Sequence, residues 1–557
     1  MCDNKKKNLN RREFLVGAGS LGASAFLLNP VEMLMKSMSA GFIQQAQASA
    51  TLGGDPRNYV NVMLAGAPSR YVFDQWIRTN ESDPAIIANP MVATKYINSG
   101  GRAAGLEYAT FNMNGVLVPH MFSHNVMSGD GSQRPLTDLL KNTLVIRGYG
   151  SGLDGHPFNA QQQQAPVGGI SSLAGCAADY SKKYFEAVQW PDRGAYQSYT
   201  SIEGKALNKI AGNTPLNSLM EGFGPASATA ARNVRERNQA AFDKASAVLK
   251  SYANSSGFGA SSLNTNLDNA TTLMKKGISG IDGYWSQAVA RYQTVIQGSM
   301  RMSGLVGISD LALISNEGVQ WKVATAGENF IVNKDFDMRN AIATMSAATF
   351  MAQGFALAEY ILKEGLGTSV EIFAPDIPNV TLAKQGVGGT GVHTVINDMH
   401  ETGAMASLVI CTAFYRGLSA AILELSRQLG PAGWGNTVLQ VMGDFSRSAR
   451  ADGSGSDHGF NQMTTSVFSG AITNGPFVVG NIRRSGLNTT TYAGTQGMGA
   501  EIDGYNQKGM PTPVMAASTV ANLLNIPKNP YENIAAPLVK LENGQLKVLF
   551  PAKLKDG

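Results

Sequence analysis

Six histidines are spread along this chain of 557 residues: His120, His124, His156, His393, His400 and His458. Three stand beside an aspartate, in Asp154-Gly-His156, Asp398-Met-His400 and Asp457-His458. In an extended loop an Asp-x-His step puts both side chains on one side, which suits capture of one cation by an oxygen and a nitrogen. A lone histidine is ordinarily a satisfied core or surface residue. Three Asp/His neighbours among six, each close to a Gly-rich stretch, point instead to a metal site. His120 and His124, four residues apart, read as a surface pair, and His393 is a weaker candidate in a Gly-rich loop.

The densest chemistry lies in Val438 to Gly459, VLQVMGDFSRSARADGSGSDHG. An apolar run closes at Gly443 and releases Asp444, Arg447 and Arg450, then a Gly/Ser-rich loop carrying Asp457 and His458. The run reads as a buried strand of a parallel sheet, and open α/β sheets bind ligands just beyond the carboxyl ends of their strands. Arg447 fits two roles equally, a bidentate clamp on a phosphate or sulfate, or an ion pair bracing Asp444 or Asp457. Arg450 reads as solvated. Gly148 to Gly155 (GYGSGLDG) follows another strand and offers backbone N–H groups to an anion. It lacks the Lys-Ser/Thr of a phosphate-binding loop and the spacing of a dinucleotide motif. Ser151 is its hydroxyl, with no base fixed beside it.

The elements that must position these residues follow from periodicity. Asn58–Leu64, Asn142–Arg147, Ser369–Ala374 and Asn436–Met442 read as buried strands, with Leu546–Phe550 as a last edge strand. Thr402–Leu429 carries a one-sided apolar stripe, and Met338–Lys363, Pro135–Leu140 and Pro511–Ile526 also read as helices. Strands alternating with such helices predict an α/β fold, a mostly parallel central sheet with helices on both faces. Residues 203–304 are polar and helical in pattern, a mainly helical insertion in a domain spanning 51–557.

Residues 1–50 read as an export signal rather than as part of the fold. Lys5-Lys6-Lys7 precedes Arg11-Arg12-Glu13-Phe14-Leu15, a Gly/Ala-rich apolar run and a small-residue end. The Arg-Arg-x-Phe-Leu core resembles a twin-arginine signal, which makes the twin-arginine translocation machinery a partner and the periplasm the destination. The apolar run is too short to span a bilayer, so the mature chain is expected to carry no transmembrane span. The signal holds six basic and three acidic groups, and its removal lowers the net charge from +5 to +2. That balance excludes nucleic acid as an expected partner. Of three cysteines, Cys176 and Cys411 read as small buried hydrophobes.

Several of these pieces together resemble a known family. They are the twin-arginine start, Asp154-Gly-His-Pro-Phe-Asn-Ala-Gln161, Asn397-Asp-Met-His400, Gly-Asp444-Phe-Ser-Arg-Ser and the Gly-Ser-Gly-Ser-Asp-His458-Gly loop. The chain is similar to the exported bacterial family known as domain of unknown function 1501, which shares the fold of the alkaline phosphatase and sulfatase superfamily. The resemblance implies an alkaline-phosphatase-like sheet with Asp and His metal ligands at strand ends. Asp398, His400 and His458 would bind one divalent ion (zinc, calcium or magnesium) and Asp444 another, with Asp457 a ligand or an orienting partner of His458. His156 and Arg447 would face a small anionic ester. The implied activity is metal-dependent hydrolysis of a phosphate or sulfate ester.

The chain departs from that pattern in three places. The loop after the first strand reads Ala65-Gly-Ala-Pro-Ser-Arg70 where the family has an acid, the nearest acid being Asp74. Gly155 stands where the family has a serine, and Phe445 where the superfamily often has a histidine. A centre so altered would hold a single ion or none. The alternative expectation is a non-catalytic periplasmic binding or cell-envelope interaction protein that keeps the fold and part of the site.

Overall fold

The computed structural model describes residues 56–78, 89–99, 102–183, 185–210, 281–302, 346–374, 399–401, 404–450, 455–483, 511–542 and 545–549. Shorter described pieces fall between 243 and 251 and at 321–323, 328–330, 380–383, 392–395 and 498–500. The chain divides into two units, Thr51–Pro215 with Asp282–Gly557, and Met1–Ala50 with Leu216–Ile281. The expected export signal and most of the expected insertion lie outside the described residues, and everything below concerns the first of these units.

The core of that unit is an eight-stranded sheet. Its strands are β1 (Asn58–Leu64), β2 (Thr143–Tyr149), β3 (Phe185–Trp190), β4 (Leu207–Lys209), β5 (Gly367–Ala374), β6 (Thr437–Gly443), β9 (Met463–Phe468) and β10 (Phe477–Val479). A small hairpin, β7 (Ser446–Ala449) with β8 (Ser456–Gly459), rises between β6 and β9. The order across the sheet is β4-β3-β5-β1-β6-β9-β2-β10. Every neighbouring pair is parallel except those of β9, which runs antiparallel to β6 and β2.

The central strands are apolar on both faces because helices cover both. Tyr59, Leu144, Ile146, Val438 and Val467 pack in one cluster with α2 (Leu173–Asp179) and α6 (Pro513–Leu523). On the opposite face α4 (Ser346–Lys363) lies so close to β5 that a Cβ on Gly354 would meet the Ile372 Cγ2 at 2.6 Å. Helix α5 (Ala404–Gly435) packs against α4. Its regular course is broken at Gly430, φ 67°, just before Pro431. A left-handed glycine followed by proline is a common helix stop, so the apolar stripe ends at Leu429 as its periodicity predicts. The Ser407–Gly435 stretch is long and apolar enough to cross a membrane, yet its apolar window is wholly buried inside the protein.

Two expectations change. Residues Gln545–Val548 form a hairpin with Val539–Glu542 instead of an edge of the main sheet. Leu207–Lys209, placed by pattern in a helical insertion, forms the edge strand β4, while Ile281–Arg301 is the helix α3. Three residues are too few to show a period, so only pairing with β3 reveals the strand. Cys176 and Cys411 are free and buried, and burial pushes both thiols up to about 12.

Candidate functional site

Strands β1, β2 and β6 run the same way, so the segments after Leu64, Tyr149 and Gly443 emerge at one edge of the sheet. Each delivers part of a cluster. After β6, Asp444 is fully buried, 0 % exposed. Its Oδ2 accepts the Gly66 N–H (3.0 Å) from the loop after β1 and faces His156 Nδ1 at 2.8 Å. Its Oδ1 accepts the Phe445 N–H at 3.1 Å. His156 is the first residue of α1 (His156–Gln164), which begins where the loop after β2 ends. Helix α1 is anchored over the edge by Gln163, whose amide donates to the Gly443 carbonyl.

The β7–β8 hairpin brings the second group. Arg447 pairs in register with His458, and Ser448 with Asp457. His458 Nδ1 meets Asp154 Oδ1 at 2.6 Å, and its Nε2 lies 3.0 Å from His400 Nε2. His400, in a short 3-10 turn (Met399–Glu401), places its Nδ1 3.3 Å from Asp457 Oδ1. The His156 ring stands edge-on to His458, centroids 4.6 Å apart, and the buried Phe445 ring stacks on His458 at 4.2 Å. Three imidazoles thus meet at the sheet edge, each with Nδ1 on a different carboxylate.

The pairing differs from the one that sequence adjacency suggests. Asp154 reaches His458 rather than His156, Asp457 reaches His400 rather than its neighbour His458, and His156 is held by Asp444. Asp398 lies outside the described residues, and of His393 only the strand position, opposite Leu382, is described. Arg447 is buried with its guanidinium turned toward the loop after β1, donating to the Ala67 and Gly66 carbonyls at 2.7 Å each. Gly66 and Ala67 both have positive φ, 76° and 51°, and this bend aims two carbonyls at Arg447 and one N–H at Asp444. In the loop after β1 these contacts are thus made by backbone groups. Arg450, expected in solvent, is buried and pairs with Asp457 at 3.1 Å, because the hairpin folds it back over that carboxylate.

The electrostatics follow from these contacts. Burial lowers the His458 imidazole from its ordinary value; the Asp154 bond opposes this, and nearby Arg447, His156 and His400 add to it. Burial acts to raise the Asp457 carboxyl, but bonds from His400 and Arg450 hold it below its usual value. A carboxylate against Nδ1 makes that nitrogen the N–H and leaves a lone pair on Nε2 of a neutral ring. His400 and His458 therefore bring two lone-pair nitrogens within 3.0 Å of each other, an arrangement that repels unless they share a proton or converge on one cation. Two nitrogens bound to one zinc-like ion at about 2.0–2.1 Å lie roughly 3–3.4 Å apart, so the pair fits as part of a metal shell. Among the described residues, no group of three or more His, Cys, Asp or Glu makes a complete one.

Gly455 shows why the hairpin loop is glycine-rich. A Cβ there would fall 1.9 Å from the His400 carbonyl oxygen. Ser456 Oγ also donates to the Met399 carbonyl at 3.2 Å, so the loop holds the His400 turn by close approach. Gly455→Ala must push that turn away. It is expected to weaken binding of a divalent metal by about tenfold or more, the scale of losing a ligand's orienting partner. Unchanged metal affinity in this variant would show that the contact does not set the His400 position.

His120 opens another 3-10 turn (His120–Ser123) and His124 follows it, their rings 5.1 Å apart. His124 is half-buried, and its Nε2 has no hydrogen-bond partner. Burial, with Arg416 and His120 nearby, lowers it from 6.5 to about 4. A folded-state value below the unfolded one stabilises the fold above about 6.5, and this contribution is lost as pH falls through about 4. The urea midpoint should therefore drop between pH 7 and 4.5, and drop less in His124→Gln. Parallel pH profiles for the two proteins would refute this.

Comparison with family models, with curated proteins and with solved structures found no match.

Proposed function

We propose that this chain is an exported, metal-dependent hydrolase acting on a phosphate or sulfate ester, built on an alkaline-phosphatase/sulfatase-like sheet. The observation that carries the reading is the His400–His458 pair, two Nε2 atoms 3.0 Å apart with a carboxylate behind each ring. Imidazole nitrogen favours zinc and similar ions over calcium or magnesium, which take oxygen ligands. His400 and His458 would hold one ion, with Asp398 as the further ligand that the family resemblance implies. An ion held there would supply Lewis acidity toward the ester oxygen and would favour ionised water at neutral pH. Asp444, with three donors already on its carboxylate, orients His156. His156 beside that pair takes a proton from the attacking water or returns one to the leaving oxygen. Asp457 and Asp154 fix the tautomers of His400 and His458, and Arg447 holds the Gly66–Ala67 bend that supplies an N–H to Asp444. This assigns Asp444 and Asp457 to orientation and narrows the centre to a single ion.

A second reading, a non-catalytic binding protein of the cell envelope, draws on a different observation. Gly155 offers no hydroxyl beside His156, and Ser151 Oγ is spent on the Phe460 carbonyl at 3.1 Å. Metal analysis of the purified protein is the test: about one divalent ion per chain is expected, with hydrolysis of aryl phosphates or sulfates that a chelator abolishes. Absence of metal overturns both the ion and the hydrolase. Metal without turnover on either ester class favours the second reading.

A further inference from the structure

Helix α1 ends in a run of four glutamines, Gln161 to Gln164. Four of its side chains are buried, Asn159, Ala160, Gln163 and Gln164, and only Ala160 is apolar. Apolar burial is non-directional and lets a helix slide, whereas a hydrogen bond holds its partners at a set distance and angle. The helix that presents His156 is thus placed mainly by directional bonds. Gln161 Nε2 donates to the Ala195 carbonyl at 2.6 Å and Gln164 Nε2 to the Tyr196 carbonyl at 2.7 Å, both in the segment after β3. Gln163 reaches the strand ends instead. Its Nε2 donates to the carbonyl of Gly443, the last residue of β6, and its Oε1 accepts the O–H of Tyr149, the last residue of β2, at 2.8 Å. Both side chains are buried.

The two bonds fix which way the amide faces. The Gly443 carbonyl can only accept, so it takes the amide nitrogen, and Tyr149 must then donate to the oxygen. Gly443 directly precedes Asp444, the carboxylate that faces His156 Nδ1 at 2.8 Å. Gln163 stands seven residues after His156, two helical turns or about 10.5 Å along the same face of α1. One end of the helix thus grips the residue before Asp444, and the other presents His156 to Asp444 itself. We propose that Gln163 is the positioning residue of His156, setting where its ring lies against Asp444, with Tyr149 as the brace of its amide. The consequence for turnover rests on the hydrolase reading, in which His156 moves the proton; the placement of the ring does not.

The test is NMR of the full-length, zinc-supplemented protein labelled at histidine Cε1, with the His156 signal identified by its loss in His156→Gln. Gln163→Leu and Tyr149→Phe are each expected to move that signal and to leave those of His120 and His124 in place. Two helical turns separate Gln163 from the ring, so the shift reads a displacement carried along α1. Gln161→Ala should leave the signal where it is, since its bond lies on the exposed side of the helix. Tyr149→Phe removes a single oxygen and keeps the test decisive should Gln163→Leu fail to fold. A His156 signal unmoved in either folded variant, or moved as far by Gln161→Ala, would overturn the assignment. Kinetics on an aryl phosphate or sulfate form the second arm. Gln163→Leu should lower kcat by about 100-fold, the cost of misplacing a reacting group by about 1 Å, with KM and metal content unchanged. In a His156→Ala background the same substitution should cost less than about twofold, because the group it places is gone. An equal loss in both backgrounds would overturn the positioning role. Absence of hydrolysis by metal-loaded wild type would overturn the hydrolase and leave the NMR signal to decide the positioning.

Discussion

His458→Ala is expected to abolish binding of the proposed divalent ion, whereas Asp154→Asn should leave it bound about 10–100-fold more weakly. The two differ because His458 supplies one of the paired Nε2 atoms, and Asp154 only holds that ring through Nδ1. Asp154 is 66 % exposed, so its loss should cost little folding stability and the change in affinity reads orientation directly. Asp457→Asn should fall on the Asp154 side of this divide, since Asp457 stands behind His400 in the same way. Metal content after gel filtration, followed by competition with a chelator of known affinity, separates the outcomes. Should His458→Ala keep a full complement of metal, the imidazole pair is not a metal site, and its close approach must be bridged by a shared proton.

The sequence made the strands around the site legible because they are long, apolar and closed by glycine. The expected Asn58–Leu64 agrees with β1 at both ends, and Asn436–Met442 is shifted by one residue from β6. Strand β9 (MTTSVF) escaped that logic. Its Thr464, Thr465 and Ser466 look like loop residues, yet they are buried because each hydroxyl has a partner, Thr465 on the Val441 carbonyl and Ser466 on Asp74. Hydroxyls satisfied by a neighbouring strand or loop carry no period along the chain, so composition alone cannot reveal them.

The site was legible in its parts and not in its pairing. Asp444, Asp457, His156, His400 and His458 were singled out by residue type, and they meet in one cluster. Which carboxylate serves which imidazole was not readable, because adjacency along the chain offers Asp457 to His458 while the hairpin offers it to His400. Partnership is set by which strand ends come out at the same edge of the sheet, here those of β1, β6 and β2, and that order is a property of the whole sheet. Arg450 went the same way: as a short-range pattern it looks solvated, and only the hairpin's return brings it over Asp457.

Asp74, the nearest acid after the first strand, has a different use from metal binding, and Asp74→Ala should be among the most destabilising single changes in the chain. Arg70 and Asp74 are side by side and essentially unexposed, 0 % and 1 %. Arg70 Nε donates to Asp74 Oδ1 at 2.8 Å, a second bond joins Nη2 to Oδ2, and Ser466 Oγ donates to the same carboxylate. Arg70 also reaches the Val441 carbonyl at 3.3 Å, so the pair ties the loop after β1 to β6 and β9. Removing the carboxylate leaves a buried guanidinium uncompensated, at a cost of about 3–5 kcal/mol. Removing both charges should cost much less, because the penalty of the single variant comes from the stranded charge more than from the lost attraction. Arg70→Met with Asp74→Leu is thus expected to recover most of the stability in denaturant unfolding. On the hydrolase reading it should nonetheless slow ester hydrolysis, because Gly66, Asp444 and His156 depend on where that loop sits. A loss below about 1 kcal/mol in Asp74→Ala, the range of an exposed pair, would mean that solvent reaches the pair and the loop is held by something else.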